Sequence, residues 1–353
     1  MWGGGKTLRV LIIGAGAIGG LVGARLAQDG HSVTLVGRPG LAAAVQQQGL
    51  ILKDSAGMRT RTDLPVVTTL TEALAQPGGF DWAVLTVKGY DTAAIADQLA
   101  AAGPPDLPIL ALQNGVGNEE TLAAALGGAR VLSGAITTVV SVPAPGVIEV
   151  AKAGEVVVAP LSGAEPLIAP ASLADTLRRA GLRARVTPDY RALKWTKLLM
   201  NELCNASCAI LGWTPNQVFA DARLAALEIT AWRETLAVMR VQGIPAIRLG
   251  GYPFPPLVPL IRVAPLPLLR RAMARFVVAG RGSKMPSLYL DLQAGKGHSE
   301  VTHLNGAVAR AGERAGIATP INRRLWQVLH AIVEGREAWA DWRNRPERLW
   351  AAQ

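Results

Sequence analysis

Residues 8–36 constrain the fold more than any other stretch of the chain. Residues 8–13 are a short, β-branched apolar run ending in glycine, the composition of a buried parallel strand. Gly14, Ala15, Gly16, Ala17, Ile18 and Gly19 follow as GxGxxG, a helix is predicted over 17–28, and a second strand over 32–36. The order strand, glycine turn, helix, strand is one βαβ unit. In that context the first glycine permits the tight turn, the second lets a pyrophosphate approach the backbone, and the third lets helix and strand pack closely. The unpaired amides at the helix start favour an anion, so these six residues are read as a dinucleotide site.

The alternation continues. Strand-like runs recur at 64–68, 82–87, 109–112, 130–136, 155–158 and 183–186, with Ala/Leu-rich helical stretches between several of them. That is the pattern of an α/β doubly wound sheet. Thr187-Pro188-Asp189 reads as a helix start and a domain boundary, which divides the chain into 1–187 and 188–353. Beyond it the spacing is helical, at 190–211, 216–242, 269–278, 286–294, 300–315 and 321–340, without convincing strands. The Pro-rich stretch 252–267 reads as a surface or interface loop, with an active-site lid as the alternative, and residues 1–5 as disordered.

Composition narrows the function classes. Half of the residues are hydrophobic and 18% are charged, enough apolar surface to offset the entropy of ordering. The net charge of +10 comes from mostly scattered cations, without the long run or aromatic interleaving of a nucleic-acid surface, so no nucleic-acid partner is expected. Glycines interrupt the apolar stretch 10–22, which therefore does not read as a secretory signal, and prolines with Arg262 exclude a bilayer-spanning helix over 252–269. No membrane partner is expected. Cys204 and Cys208, four residues apart, read as core residues of a protein from the reducing cytoplasm. The histidines at 31, 298, 303 and 330 have no ligand spacing, so no metal is expected, and His298 is the one singled out.

Several polar groups remain to carry chemistry. The second strand ends in Gly37-Arg38, where a carboxylate would bind a ribose 2′-hydroxyl and a cation would accommodate a 2′-phosphate; the guanidinium points to NADP(H). Thr86-Val87-Lys88 places a cation at another strand end, and Gln113-Asn114-Gly115 offers an amide with both donor and acceptor, although Asn-Gly is equally a common turn. Lys197, Asn201 and Asn205 recur every four residues, a polar stripe on any helix through them. One Lys beside two amides suits a cleft in which a carbonyl is reduced and Lys197 protonates the developing alkoxide. Ser287, Asp291 and Glu300 form a second polar set that could bind a hydroxyl and a carboxylate or, by position, serve as helix caps.

Taken together, these segments resemble the ketopantoate (2-dehydropantoate) reductase family over most of the chain. The resemblance rests on Gly14-x-Gly16-x-x-Gly19, Arg38, Thr86-Val87-Lys88, Gln113-Asn114-Gly115, Lys197-x-x-x-Asn201-x-x-x-Asn205, Ser287-x-x-x-Asp291 and Glu300-Val301 with Leu304-Asn305-Gly306. It implies an N-terminal Rossmann domain plus a C-terminal all-helical domain like that of 6-phosphogluconate dehydrogenase, with a 2-oxo acid bound in the cleft between them. By the same resemblance NADPH reduces ketopantoate to D-pantoate, a precursor of coenzyme A. Lys197 is then the general acid, and Asn114 and Asn201 orient it and the substrate. Asn205 lines the site, Ser287 holds the carboxylate, Glu300 binds the substrate hydroxyl, and Arg38 and Lys88 contact the cofactor.

Departures from the family pattern are Lys284, where an asparagine is frequent, a loop at 295–299 one residue longer, the Pro-rich stretch, and a tail from 336 bearing Trp339, Trp342 and Trp350, read as packing or a homodimer contact. A reductase of another 2-oxo acid, a β-hydroxyacid dehydrogenase and a non-catalytic NADP(H)-binding sensor are the alternatives.

Overall fold

The computed structural model describes residues 6–280 and 284–350; residues 1–5, expected to be disordered, lie outside them. The chain divides into one unit of residues 1–113 and 117–194 and a second of 114–116 and 195–353. The first runs β1 (Arg9–Ile13), α1 (Ala17–Gln28), β2 (Ser32–Val36), α2 (Pro39–Gln48), β3 (Leu50–Lys53), β4 (Arg59–Thr62), β5 (Val66–Val67) and α3 (Leu70–Leu74). It continues through β6 (Trp82–Leu85), α4 (Thr92–Ala102), β7 (Ile109–Ala111), α5 (Asn118–Leu126), β8 (Val131–Ile136), β9 (Val139–Ala144), β10 (Val147–Lys152), β11 (Val156–Pro160), α6 (Pro170–Arg179) and β12 (Ala184–Val186).

Eight of these strands form one sheet in the order β12-β11-β8-β7-β6-β1-β2-β5, parallel except between β8 and β11. Its central strands have both faces covered, which is why they read as continuous apolar runs. Val10 and Ile12 of β1 pack with Leu21, Leu26 and Leu35, whereas Leu11 and Ile13 pack on the opposite face with Leu70, Leu99 and Leu122. Each such fully buried side chain contributes roughly 1.5–3 kcal/mol of hydrophobic stabilisation.

A second sheet, β4-β3-β10-β9, packs against α1 and was not expected from the sequence. Its strand β4 reads Arg-Thr-Arg-Thr, half of it exposed, and so carries no apolar alternation. The β9–β10 hairpin did carry a signal: two β-branched runs flank Pro145-Gly146.

α7 (Tyr190–Glu202) is followed in the second unit by α8 (Asn205–Leu211), α9 (Pro215–Ala220), α10 (Ala222–Val241), α11 (Phe254–Val263), α12 (Leu266–Gly280), α13 (Ser287–Gln293), α14 (Asn305–Arg314) and α15 (Pro320–Val333). The predicted helix 190–211 is broken, because Cys204 adopts a left-handed conformation with φ of 56°. A distant group stabilises the break: the Glu228 carboxylate of α10 accepts the Cys204 N–H at 2.7 Å and the Ser207 hydroxyl. Both cysteines are fully buried in the helical core, beside Leu199, Ile210 and Leu211.

The Pro-rich stretch is also not the expected loop, since α11 occupies its middle. Pro255 and Pro256 lie in the first turn, where the missing N–H has no helical partner to lose. Arg233 of α10 closes the other end, donating to the carbonyls of Ile261 at 2.8 Å and of Ala264. The run 300–315 likewise divides into a 3-10 turn, Glu300–His303, and α14.

Candidate active site

In the first unit the three glycines of the turn meet different constraints. Gly14 has φ of +99°, and a Cβ there would lie 2.6 Å from the Val87 nitrogen. A Cβ on Gly19 would lie 2.3 Å from the Gly14 carbonyl oxygen and 2.6 Å from Thr86 Oγ1, which donates to that carbonyl. Gly16 is different: no heavy atom lies within 4 Å of a Cβ built on it. The chain itself requires the first and third glycines, whereas the space over Gly16 is open to a ligand. Gly16 is the N-cap of α1 with no side-chain cap, Ala17 and Ile18 form the first helical turn, and the Ala15 N–H donates to Val36 at 2.9 Å.

Arg38 follows β2 as the N-cap of α2 and is exposed, and among the described residues no carboxylate pairs with it. Lys88 precedes the 3-10 turn Gly89–Asp91 beyond the end of β6 and is half-buried. An open glycine, uncapped helix amides and two cations at the carboxyl edge of the sheet fit a phosphorylated dinucleotide.

The second unit assembles the polar stripe. Asn201 donates from Nδ2 to Asn114 Oδ1 at 2.9 Å, joining residues 87 positions apart. Residues 115–116 are held against the 3-10 turn: the Val116 N–H donates to the His303 carbonyl at 3.2 Å, and a Cβ on Gly115 would lie 2.5 Å from that oxygen. Lys197 is half-buried on α7, one turn before Asn201. Asn205 is not on the same helix, yet its Nδ2 donates to the Asn201 carbonyl at 3.0 Å, and its Oδ1 accepts the Leu288 N–H at 3.2 Å. That bond fixes the first turn of α13, where exposed Ser287 stands at the first helical position and caps nothing.

Glu300 opens the 3-10 turn and is buried, while Ser299 is the true cap, accepting the Val301 N–H at 3.2 Å. Asp291 is engaged by Lys296. His298, singled out from the sequence, is exposed; His303, which was not, backs Gly115. Burial, with Arg310 nearby, holds the His303 imidazole below the usual histidine range against the opposing pull of Glu300. No local spacing marks His303, since its relevance comes from a segment far upstream.

Buried charge supports both sets of residues. Lys194 pairs with Glu119 at 3.0 Å, both almost wholly buried, and also donates to the Gln113 carbonyl, while Ser133 donates to the same carboxylate at 2.8 Å. Gln113 donates to the Val87 carbonyl at 3.0 Å and to Thr92 at 2.7 Å, tying the ends of β6 and β7 together. Tyr190, half-buried and donating to Glu120 at 3.2 Å, has its phenol pushed up to about 12 by desolvation and that carboxylate. Glu202 next to Asn201 accepts from Thr235 at 2.9 Å, and burial raises its carboxyl well above the usual range, with Glu228 and Glu234 adding to the rise.

The tail packs on α8: Trp339 Nε1 donates to the carbonyls of Ala209 and Ile210 at 3.0 Å each, and the Asn344 N–H donates to Leu211 at 3.0 Å. Trp342 is buried, with the Arg324 and Arg348 guanidinium groups 5.4 and 4.7 Å from its ring centre.

Comparison with known proteins is consistent along most of the chain. The family model described as ketopantoate reductase PanE/ApbA matches residues 10–163, and the model of that family's C-terminal region matches residues 189–333. The 2-dehydropantoate 2-reductase of Archaeoglobus fulgidus is 31% identical over 330 residues, covering 94% of this chain and 99% of that protein. Among solved structures, a PanE/ApbA family ketopantoate reductase from Ralstonia eutropha JMP134 superposes with a TM-score of 0.78 at 27% identity, covering 93% of this chain and 99% of that one. D-mandelate dehydrogenase, solved with NADH and anilino(oxo)acetate, gives a TM-score of 0.77 at 22% identity and 93% and 99% coverage, a likeness of fold alone. Two family models in sequence and a full-length relative accompany a glycine turn and an Asn114–Asn201 pairing built as described: the chain belongs to the ketopantoate reductase family.

Proposed function

We propose that this protein reduces 2-dehydropantoate to D-pantoate with NADPH, a step toward pantothenate and coenzyme A, in the reducing cytoplasm that two buried free cysteines suit. Residues 1–187 form the NADP-binding domain and 188–353 the substrate domain, a division supported by the gap between the family-model matches at 10–163 and 189–333. Gly14 to Gly19 would hold the pyrophosphate, Arg38 would pair with the 2′-phosphate, and Lys88 would add a second cation. When bound, NADPH would supply the hydride that reduces the 2-oxo carbon.

The protein supplies the proton and the alignment. The Lys197 ammonium gives a proton from Nζ to the developing alkoxide, Asn114 and Asn201 align the reacting carbonyl with it, and Asn205 lines the site. Ser287, whose hydroxyl caps no helix, donates to the substrate carboxylate, and buried Glu300 accepts from its hydroxyl. The observation that carries this reading is the 2.9 Å bond from Asn201 to Asn114, which brings an amide from the end of β7 within one helical turn of Lys197. A sensor would have no need of that pairing. A reductase of a different 2-oxo acid remains the second reading, because Lys284 adds an exposed cation three residues before Ser287.

The test is NADPH absorbance with purified protein and ketopantoate, run beside NADH and beside pyruvate and 2-oxoisovalerate. Oxidation confined to NADPH with ketopantoate supports the assignment. Consumption only with another acid transfers it to the second reading, and NADPH binding with no turnover on any acid overturns both.

A further inference from the structure

The surplus charge of this chain is not spread along it. Between Glu234 and Asp291 there are eight lysines and arginines and no acidic residue, whereas the rest of the chain holds 28 cations against 26 acids. A reaction on one small acid does not require such a block. The same segment contains α11 and α12, and α11 with the start of α12 exposes apolar side chains: Leu260 is 49% exposed, Leu268 59%, and Val263 82%, the most exposed large apolar residue described.

This face is not a helix lacking its anchor. Phe254 and Ile261 bury the opposite side of α11, Phe254 lies 6.2 Å from the Trp232 ring, and Arg233 closes the C-terminal end. Pro256, Leu260 and Val263 recur at helical spacing on the outward side, with exposed Arg262 beside them and exposed Arg271 one turn beyond Leu268. A segment that alternates exposed aliphatic side chains with arginines and has no acid of its own complements a partner that is both anionic and apolar.

We propose that the outward face of α11 and the first turn of α12 docks on an anionic phospholipid surface, with Leu260, Val263 and Leu268 entering the headgroup boundary and Arg262 and Arg271 meeting the headgroups. A second copy of the chain is disfavoured as occupant, because a two-fold contact would set this acid-free, arginine-bearing segment against itself. Single-stranded nucleic acid is disfavoured because the exposed side chains are aliphatic, while Tyr252 is half-buried and Phe254 buried, leaving no stacking platform among the described residues of the patch. The docking is peripheral: among the described residues no helix is long and apolar enough to cross a membrane.

The experiment is co-sedimentation of the full-length protein with phosphatidylcholine vesicles and with vesicles that also contain phosphatidylglycerol, at low and high salt. The protein should sediment with the anionic vesicles only and be released by salt. Arg262→Gln with Arg271→Gln should lower partitioning roughly 30-fold, two arginines at about 1 kcal/mol each. Val263→Asp with Leu268→Asp should lower it at least as far. Thermal midpoint and NADPH oxidation should be unchanged in both pairs, and the wild-type lipid and salt arms test the proposal even if a variant fails to fold. No sedimentation, equal binding to neutral vesicles, or binding unchanged in both pairs overturns it. So does a dimer that the Asp pair converts to monomer in sedimentation velocity, or RNA binding that the Gln pair abolishes.

Discussion

The two units present their candidate functional groups in opposite ways. The glycine turn is made of backbone: Gly14, Gly16 and Gly19 lie within six residues, and the contacts that require Gly14 and Gly19 come from the turn itself and from adjoining strand ends, while the space over Gly16 is open. The polar stripe is made of side chains, and its neighbours arrive from far along the chain, Asn114 from the end of β7, Leu288 from α13 and the His303 carbonyl from the 3-10 turn. A backbone site is specified by local rules that forbid a Cβ. A side-chain site is specified by tertiary packing. The first therefore tolerates few substitutions in place, whereas the second can lose its chemistry and keep its fold.

Replacing Lys197 should separate the two most strongly. If the stripe carries the chemistry and the turn carries the cofactor, Lys197→Ala lowers kcat by roughly 10²–10⁴-fold and leaves the NADPH dissociation constant where it was. Stopped-flow turnover beside fluorescence titration of NADPH reads both. A parallel loss of cofactor affinity would mean that the two regions do not divide the work in this way.

The sequence made the two regions legible to different depths for the same reason. The βαβ unit matches its predicted elements because a strand, a glycine turn and a helix are each decided within a few residues; α1 and β2 have the predicted bounds. The stripe residues were recognisable by type and spacing, but the break at Cys204 was not, since the Glu228 carboxylate that stabilises it lies 24 residues away. The helix through the Pro-rich stretch was missed because Arg233 and the buried faces of Phe254 and Ile261 outweigh local propensity. His303 carried no signal at all, its contact being a backbone carbonyl against Gly115.

Glu119 and Lys194 sharpen the contrast in stability. Glu119→Gln leaves a buried ammonium without its counter-charge and should cost about 3–5 kcal/mol in denaturant unfolding. Adding Lys194→Met should recover most of that loss, because a buried pair is worth little over a well-packed apolar replacement. A Glu119→Gln variant as stable as the parent would show that the pair does not hold this region.

Within the glycine turn the differences should be smaller and of two kinds. Gly19→Ala forces a methyl to within 2.3 Å of a backbone oxygen and should destabilise the fold by about 1–3 kcal/mol. Gly16→Ala meets open space, so the thermal midpoint should hold; if the turn binds the cofactor as proposed, NADPH affinity should fall by about tenfold, the added methyl standing where the phosphate would approach. Calorimetric melting with NADPH titration distinguishes them. Equal effects of the two substitutions on melting would remove the distinction between a glycine the chain needs and one the ligand needs.

The smallest effect tests two of the buried carboxylates, one from each unit, against each other. Glu119 has Lys194 at 3.0 Å, whereas Glu202 has Thr235 and two further carboxylates near it, and burial raises its pKa. A carboxyl whose folded pKa exceeds its unfolded value binds its proton more tightly in the native state. Its contribution is therefore fully present below the ordinary value of 4.5 and is lost as the pH rises toward the folded pKa. Glu202→Gln keeps an acceptor for Thr235 without ionising, so it should stabilise the protein at pH 7 by on the order of 1 kcal/mol, the difference closing as the pH falls toward 4.5. His303 acts in the opposite direction, its lowered pKa costing stability as the pH falls below 6.5, but it is common to both proteins and drops out of their difference. Denaturant unfolding of variant and parent across that pH range reads the difference directly. A gain that does not change with pH would mean that Glu202 is ionised like an ordinary surface carboxylate, and that the helical unit, like the first, has found its buried acid a partner.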